Sequence, residues 1–336
     1  MKKNFFTFLK YILFLAAGFF LAWWQFDKMT GLQKLQFKES LKDARYWLIV
    51  PVIIMAILSH ISRAVRWKLL IEPLGYKPST TTTFYAIMSG YLANTFVPRA
   101  GELLKCTLLN RYEKIPVNKL IGTVLVERAF DLICYFILIL ISFLLQINHI
   151  SAFIRKKLSE SNYGRSGIIW LKLSIAICLI LLMIIFLRYI FKRFAAHRYI
   201  ISIKGFHIGF TEGFKTIKHL KKRGWFIAHT IFIWCMYLLE IYVGFFALSA
   251  TAHLGIIQAC SVLSMATLGM IVSPGGIGAF PLAVQEVLLI YNVDNVSFGW
   301  LIWGVSTSII IVIGLLSFGL LMFKNKKKYE KNRTNS

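Results

Sequence analysis

The chain has 336 residues, of which 57% are hydrophobic, 15% aromatic and 16% charged, and its mean hydropathy is +0.66. Soluble domains run near about 25% charged and disordered chains are poor in hydrophobic residues, so both classes are excluded. Lys and Arg outnumber Asp and Glu by 39 to 14, a net charge of +25. In a membrane protein that excess belongs on the cytoplasmic face. A nucleic-acid binder would need a soluble basic domain, and none is legible.

Apolar segments fall at 8–26, 46–62, 80–97, 119–145, 168–191, 225–250, 255–291 and 297–323. No strand alternation interrupts them, and in lipid only helices or closed barrels satisfy the backbone. Lys2 and Lys3 precede the first run, which ends at Trp23 and Trp24. An uncleaved anchor with interfacial tryptophans is expected there rather than a signal peptide. Cys106, Cys134, Cys178, Cys235 and Cys260 stand singly in apolar runs, and the seven His are scattered. No metal site, P-loop or G-x-S-x-G elbow is legible, and no cofactor is expected.

Charge sets the expected topology. The stretch 192–224 carries nine Lys/Arg and the tail beyond Phe323 six, whereas Trp225 to Phe323 contains none. An even number of crossings must lie between two cytoplasmic segments. Segments 225–250 and 297–323 each suit one crossing, so 255–291 must begin and end outside. It is broken at Ser273-Pro-Gly-Gly-Ile-Gly278 into halves too short for two full crossings. In the first half, 8–26 runs out and 46–62 runs in. Segment 80–110 is broken at Val97-Pro-Arg-Ala-Gly101 and has basic residues on both sides, so it should dip and return from the cytoplasmic side. Segment 119–145 then runs out and 168–191 in. The inside segments so assigned hold 27 Lys/Arg and the outside ones nine, with Arg128, Lys172 and Arg188 inside membrane segments.

The expected fold is therefore all-α: a polytopic membrane protein with about six full transmembrane helices and two re-entrant helix pairs in an inverted repeat. Residues 1–145 form the first repeat, 146–167 an extracytoplasmic loop, 168–323 the second repeat, and 324–336 a basic cytoplasmic tail. Within the second repeat, Phe206, Phe210, Phe214, Ile217 and Leu220 recur at helical spacing among lysines. That pattern predicts an amphipathic helix on the cytoplasmic leaflet, with packing against the protein as the alternative. Broken segments at matching positions of two repeats point to a substrate site.

Three constellations could carry function. Glu127, Arg128 and Asp131 share a helical face roughly 12–18 Å from the membrane edge. Charges at that depth cost about 2.5–3.5 kcal/mol each, so the group is either a head-group site or a self-neutralising packing bridge. At the first break stand Asn94, Pro98, Arg99, Gly101, Glu102 and Lys105. A half-helix starting near Gly101 favours an anion at its N-terminus. Arg99 offers a phosphate fork, and Glu102 could cap that start or pair with Arg99. At the second break Pro274, Gly275, Gly276 and Gly278 permit unwound backbone, and Glu286 follows as a proton or counter-ion candidate or an interfacial carboxylate. Arg63 and Arg66, in Ser62-Arg-Ala-Val-Arg-Trp, read as interface anchors, with head-group contact the alternative.

The runs Ser62-Arg-Ala-Val-Arg-Trp, Pro98-Arg-Ala-Gly-Glu-Leu-Leu-Lys, Glu127-Arg-x-x-Asp131 and Pro274-Gly-Gly-Ile-Gly-Ala, taken in order, resemble the flippase-like transmembrane region of lysylphosphatidylglycerol synthases and its stand-alone relatives. The resemblance covers about residues 40–323. It implies a multi-spanning cytoplasmic-membrane protein that moves or binds charged lipids, and it maps that family's positions onto Arg66, Gly101, Glu102, Glu127, Arg128 and Asp131. Many relatives carry a Glu soon after the Gly-Gly-x-Gly turn, where Pro281 stands here. The short Lys-rich tail takes the place of an aminoacyl-transferase domain, so the resemblance carries no expectation of lipid lysylation. The expected function is transport of an anionic or polyprenyl-linked lipid in the inner membrane, with both termini cytoplasmic and a homo-oligomer or envelope-synthesis enzyme as possible partner. The alternative is a membrane enzyme or an accessory protein in lipid-linked envelope synthesis.

Overall fold

A computed structural model describes residues 16–97, 100–160, 220 and 222–334. Ten α-helices follow in chain order among them. Helix α1 covers 16–28, α2 Gly31–Lys42, α3 Ile49–Ile71, α4 Thr80–Phe96, α5 Ala100–Glu113 and α6 Val117–Glu160. Then come α7 Arg223–Phe245, α8 Ile256–Val272, α9 Ala279–Ile290 and α10 Ser297–Thr334. Among the described residues there is no strand, and the fold is an all-α polytopic one. Among the described residues, four helical stretches are long and apolar enough to cross a bilayer: Tyr46–Leu74, Val117–Gln146, Arg223–Phe245 and Ser297–Lys324. Their outer faces are apolar, with Phe136, Leu140 and Leu144 on α6 and Leu315, Leu316 and Met322 on α10 all exposed, as a lipid-facing surface requires.

The elements depart from the sequence expectation in three places. The stretch read as an outer loop at 27–45 contains α2, a polar helix started by a capping box in which the Thr30 hydroxyl accepts from the Gln33 amide and the Gln33 side chain accepts from the Thr30 amide. The second apolar segment does not stop at Ser62. Its helix runs on through Arg63 and Arg66 to Ile71, because both guanidinium groups find buried carboxylates. The long α6 begins at Val117 and outruns the apolar segment that announced it. Segment 168–191 and the amphipathic stretch 204–219 lie outside the described residues. At its end, Leu220 is buried in a core cluster with Trp67 and Phe226.

Two breaks set the interior. Helices α4 and α5 pack as a close pair, and a Cβ at Gly101 would collide with the Gly90 carbonyl oxygen. Asn94 Oδ1 accepts from the Gly101 amide at 2.8 Å, so the first break is capped from within. The second pair, α8 and α9, is joined by a 3-10 turn over Pro274–Gly276, and α9 starts five residues after Pro274. Gly275 has φ of 60°, and a Cβ there would stand 3.1 Å from the Thr95 carbonyl oxygen and side chain. The turn of one pair thus sits on the end of the other. The buried apolar residues form two clusters. One gathers α3 to α6 with Phe226 and Leu321, and the other α7 to α10.

Candidate functional site: a buried ion group

The ion group is built on α3, α5 and α6. Arg63 and Arg66 lie three apart on α3 and therefore face the same way. Glu127 and Asp131, four apart on α6, face them. Arg63 Nη1 is 2.8 Å from Asp131 Oδ2 and 3.4 Å from Glu127 Oε1. Arg66 Nη2 is 2.8 Å from Asp131 Oδ1 and 3.2 Å from Glu127 Oε1. From α5, Lys105 Nζ donates to Glu127 Oε2 at 2.9 Å. Arg66, Lys105 and Glu127 have side chains 0%, 2% and 0% exposed. Glu127 lies ten residues into α6, or roughly 15 Å along the helix at 1.5 Å per residue.

Aromatic and hydroxyl groups complete the shell. Lys105 Nζ stands 4.6 Å from the centre of the Trp67 ring, whose Nε1 donates to Thr123. Arg66 lies over Phe226 and donates to Thr230. Arg63 lies over Tyr91 and donates to the Tyr237 hydroxyl. These contacts replace the water that guanidinium and ammonium groups lose on burial.

The group opens at one edge. Arg128 Nη2 donates to Glu102 Oε1 at 2.6 Å, with the two side chains 39% and 29% exposed. Glu102 sits at the first turn of α5, next to the break, and lies 3.8 Å from Lys105. Arg63, Arg66, Lys105 and Arg128 thus meet Glu102, Glu127 and Asp131, which leaves one positive charge in excess. The Nε–H groups of Arg63, Arg66 and Arg128 are buried without an acceptor. Beside the group, between α3 and α7, runs an open groove of about 340 Å³ lined by Lys68, Glu72, Lys222, Trp225 and His229. His229 Nδ1 is 2.8 Å from the Ser62 hydroxyl, one residue before Arg63.

Among the residues singled out from sequence, Arg66, Glu102, Glu127, Arg128 and Asp131 come together here. Arg63 and Arg66 are buried, so the interface-anchor reading is corrected. Asp131 pairs with α3 and Arg128 with α5, so the charges of α6 are met by neighbouring helices. Asn94 and Gly101 shape the adjoining break. Pro274 and Gly276 are buried, while Gly275 receives a hydrogen bond on its carbonyl from Trp303 Nε1 at 2.8 Å. Gly278, with φ of 70°, packs against Gly18 and Ala22 of α1. Glu286 lies on the exposed face of α9, apart from the ion group. Pro98 and Arg99 lie outside the described residues. Sequence reasoning placed Arg63 at the membrane edge and Lys105 at the first break without pairing either with the acids of α6. Lys105 in a half-helix of a membrane segment was the available signal, and its partner is 22 residues away.

The residues of this group include Arg66, Glu102, Glu127, Arg128 and Asp131, onto which the motif resemblance maps the family's positions. The model of the lysylphosphatidylglycerol synthase TM region matches residues 9–322. The chain belongs to that family. Among curated proteins, a UPF0104 membrane protein of Methanocaldococcus jannaschii is 30% identical over 86 residues, covering 25% of this chain and 26% of that protein. The match therefore spans about a quarter of the relative. No solved structure matches. Membership in the lysylphosphatidylglycerol synthase TM family makes the chain a multi-pass membrane protein of lipid-handling type.

Proposed function

We propose that this chain is a lipid transporter that carries an anionic or polyprenyl-linked lipid between the leaflets of the cytoplasmic membrane, its phosphate held at the buried ion group. The observation that carries this reading is the group's unbalanced positive charge together with its three acceptor-free arginine Nε–H groups. Several kcal/mol of desolvation are spent on each buried ion, and a phosphate would use both the charge and the free donors. Arg128 and Glu102 form the accessible edge at which a head group first engages. Opening their pair exchanges one carboxylate for a lipid phosphate at Arg128. Arg63 and Arg66 take the phosphate deeper, while Glu127 and Asp131 hold their forks in place.

The two short-helix pairs serve in this reading as re-entrant hairpins from opposite faces, related as inverted repeats. Their meeting at Thr95 and Gly275 supports it, because a site reached in turn from either face must lie near the midplane. The groove between α3 and α7 offers a lateral way in for a head group, with Lys68 and Lys222 at its rim. The basic segments support a cytoplasmic side for both termini in this reading.

Native mass spectrometry of the purified chain tests the binding half of the proposal. Wild type should retain anionic phospholipid or a lipid-linked phosphate, and Arg128→Ala should retain much less. Retention of zwitterionic and anionic lipids in their bulk ratio, unchanged in the variant, would contradict it.

A further inference from the structure

The stretch from Trp225 to Phe323 has no Lys or Arg, yet it contains Glu240 in a membrane-crossing helix, five residues before its end at Phe245. Every acid of the ion group is paired with a cation. Glu240 is not: its Oε1 is sealed from solvent with no hydrogen-bond partner. An isolated carboxylate costs far more to bury than a carboxylic acid. A proton on this side chain offsets that cost.

Its place on α7 gives that proton a use. Tyr237 lies three residues earlier, on the same helical stripe, and its hydroxyl accepts from Arg63 Nη2 at 3.1 Å. Glu240 is thus one helical turn from the residue whose hydroxyl contacts Arg63. The elements packed on α7 are α3, α8 and α10, and α6 meets it where Phe130 packs on Phe226, with Glu127, Asp131, Cys134 and Tyr135 on that helix. From α3 the facing titratable groups are His60, Arg63 and Arg66, with Lys68 and Glu72 beyond, and His60 Nδ1 is also sealed without a partner. Helix α8 brings Cys260, and α10 has no titratable residue before Lys324. Arg45 and Tyr46 lie at the far end, where the Arg45 amide donates to the Ala247 carbonyl. Lys172 and Arg188 fall outside the described residues. Arg63 is thus the charge tied through one hydroxyl to the stripe that carries Glu240.

We propose that Glu240 is a proton-carrying site that couples proton uptake to the binding of the anionic head group. The coupling rests on the lipid-transport reading above and has a definite sign. With the ion group empty, its excess positive charge favours loss of the proton from the Glu240 carboxyl to water. When an anion fills the group that charge is cancelled, and the proton is held. Anion and proton therefore promote each other's binding, and by linkage the effect is reciprocal. A lower pH on the side where lipid loads speeds its transfer.

Two measurements test this. The first is the infrared spectrum of the purified protein, read for the C=O stretch of a buried carboxylic acid. Wild type with anionic phospholipid bound should show a band that is lost in Glu240→Gln, and an identical spectrum in the variant would overturn the proposal whether or not the protein moves lipid. The second is transfer of a fluorescent anionic phospholipid in proteoliposomes with and without an imposed pH gradient. Wild type should respond to the gradient, Glu240→Gln should lose that response, and Glu240→Asp, which keeps a titratable carboxyl, should regain it. Wild-type transfer that ignores the gradient, or a response that survives in Glu240→Gln, would sink the coupling while leaving transport intact. Absence of transfer by wild type would count against the transport reading and with it the coupling, leaving the infrared band to decide the protonation of Glu240.

Discussion

Lys105 Nζ lies 2.9 Å from Glu127 Oε2, and the two side chains are 2% and 0% exposed. The pair ties the half-helix after the first break to a membrane-crossing helix, so the break is held to the site by charge as well as by packing.

Removing one partner of a buried ion pair costs about 3–5 kcal/mol, because the other charge is stranded. Lys105→Ala should therefore lower the Tm of the detergent-solubilised protein strongly. Glu72→Gln, which breaks the outer pair with the 57% exposed Lys222, should cost no more than about 1 kcal/mol. Similar shifts in the two variants would show that the inner pair is not sealed.

Gly101 has no room for a methyl group. A Cβ there meets the Gly90 carbonyl oxygen and the Asn94 side chain, whereas a Cβ at Gly304 meets nothing within 4 Å. Gly101→Ala should push α4 and α5 apart and cost more than the roughly 1–3 kcal/mol of ordinary overpacking. Gly304→Ala should leave the Tm unchanged. Thermal unfolding of the two variants side by side checks the close approach.

The contact between the two breaks can be trapped. A Cβ at Gly275 would stand 3.3 Å from the Thr95 Cα, which is within reach of a disulfide. In a background with the native cysteines replaced, Thr95→Cys with Gly275→Cys should cross-link under mild oxidant. Failure to cross-link, with the two thiols labelled from opposite bulk solutions, would separate the breaks.

Much of this architecture is legible from hydropathy and charge alone. The Val97–Gly101 and Ser273–Gly278 interruptions predicted both short-helix pairs, since Pro and Gly end helices by local rules. Glu127 and Asp131 stood out because acids in an apolar run are costly. Arg63 and Arg66 misled because basic residues after an apolar run look like a membrane edge. Only pairing with Asp131, more than 60 residues away, shows that the helix continues inward. Lys105 was legible as part of the first break, but its partner Glu127, 22 residues on, was not. Glu240 escaped a reading that searched its stretch for cations. Helix α2 escaped because it has no buried residue and is announced only by its Thr30 cap.

The account turns on whether the buried cations move a lipid phosphate. The direct measurement is leaflet-to-leaflet transfer of a fluorescent anionic phospholipid in proteoliposomes containing the purified chain, compared with Arg128→Ala. Arg128 is part-exposed and bound to a single carboxylate, so its loss should spare the fold. Wild type should accelerate transfer and Arg128→Ala should reduce it to the rate of empty liposomes while the variant remains folded. Equal transfer by wild type and variant would contradict the assignment of the ion group.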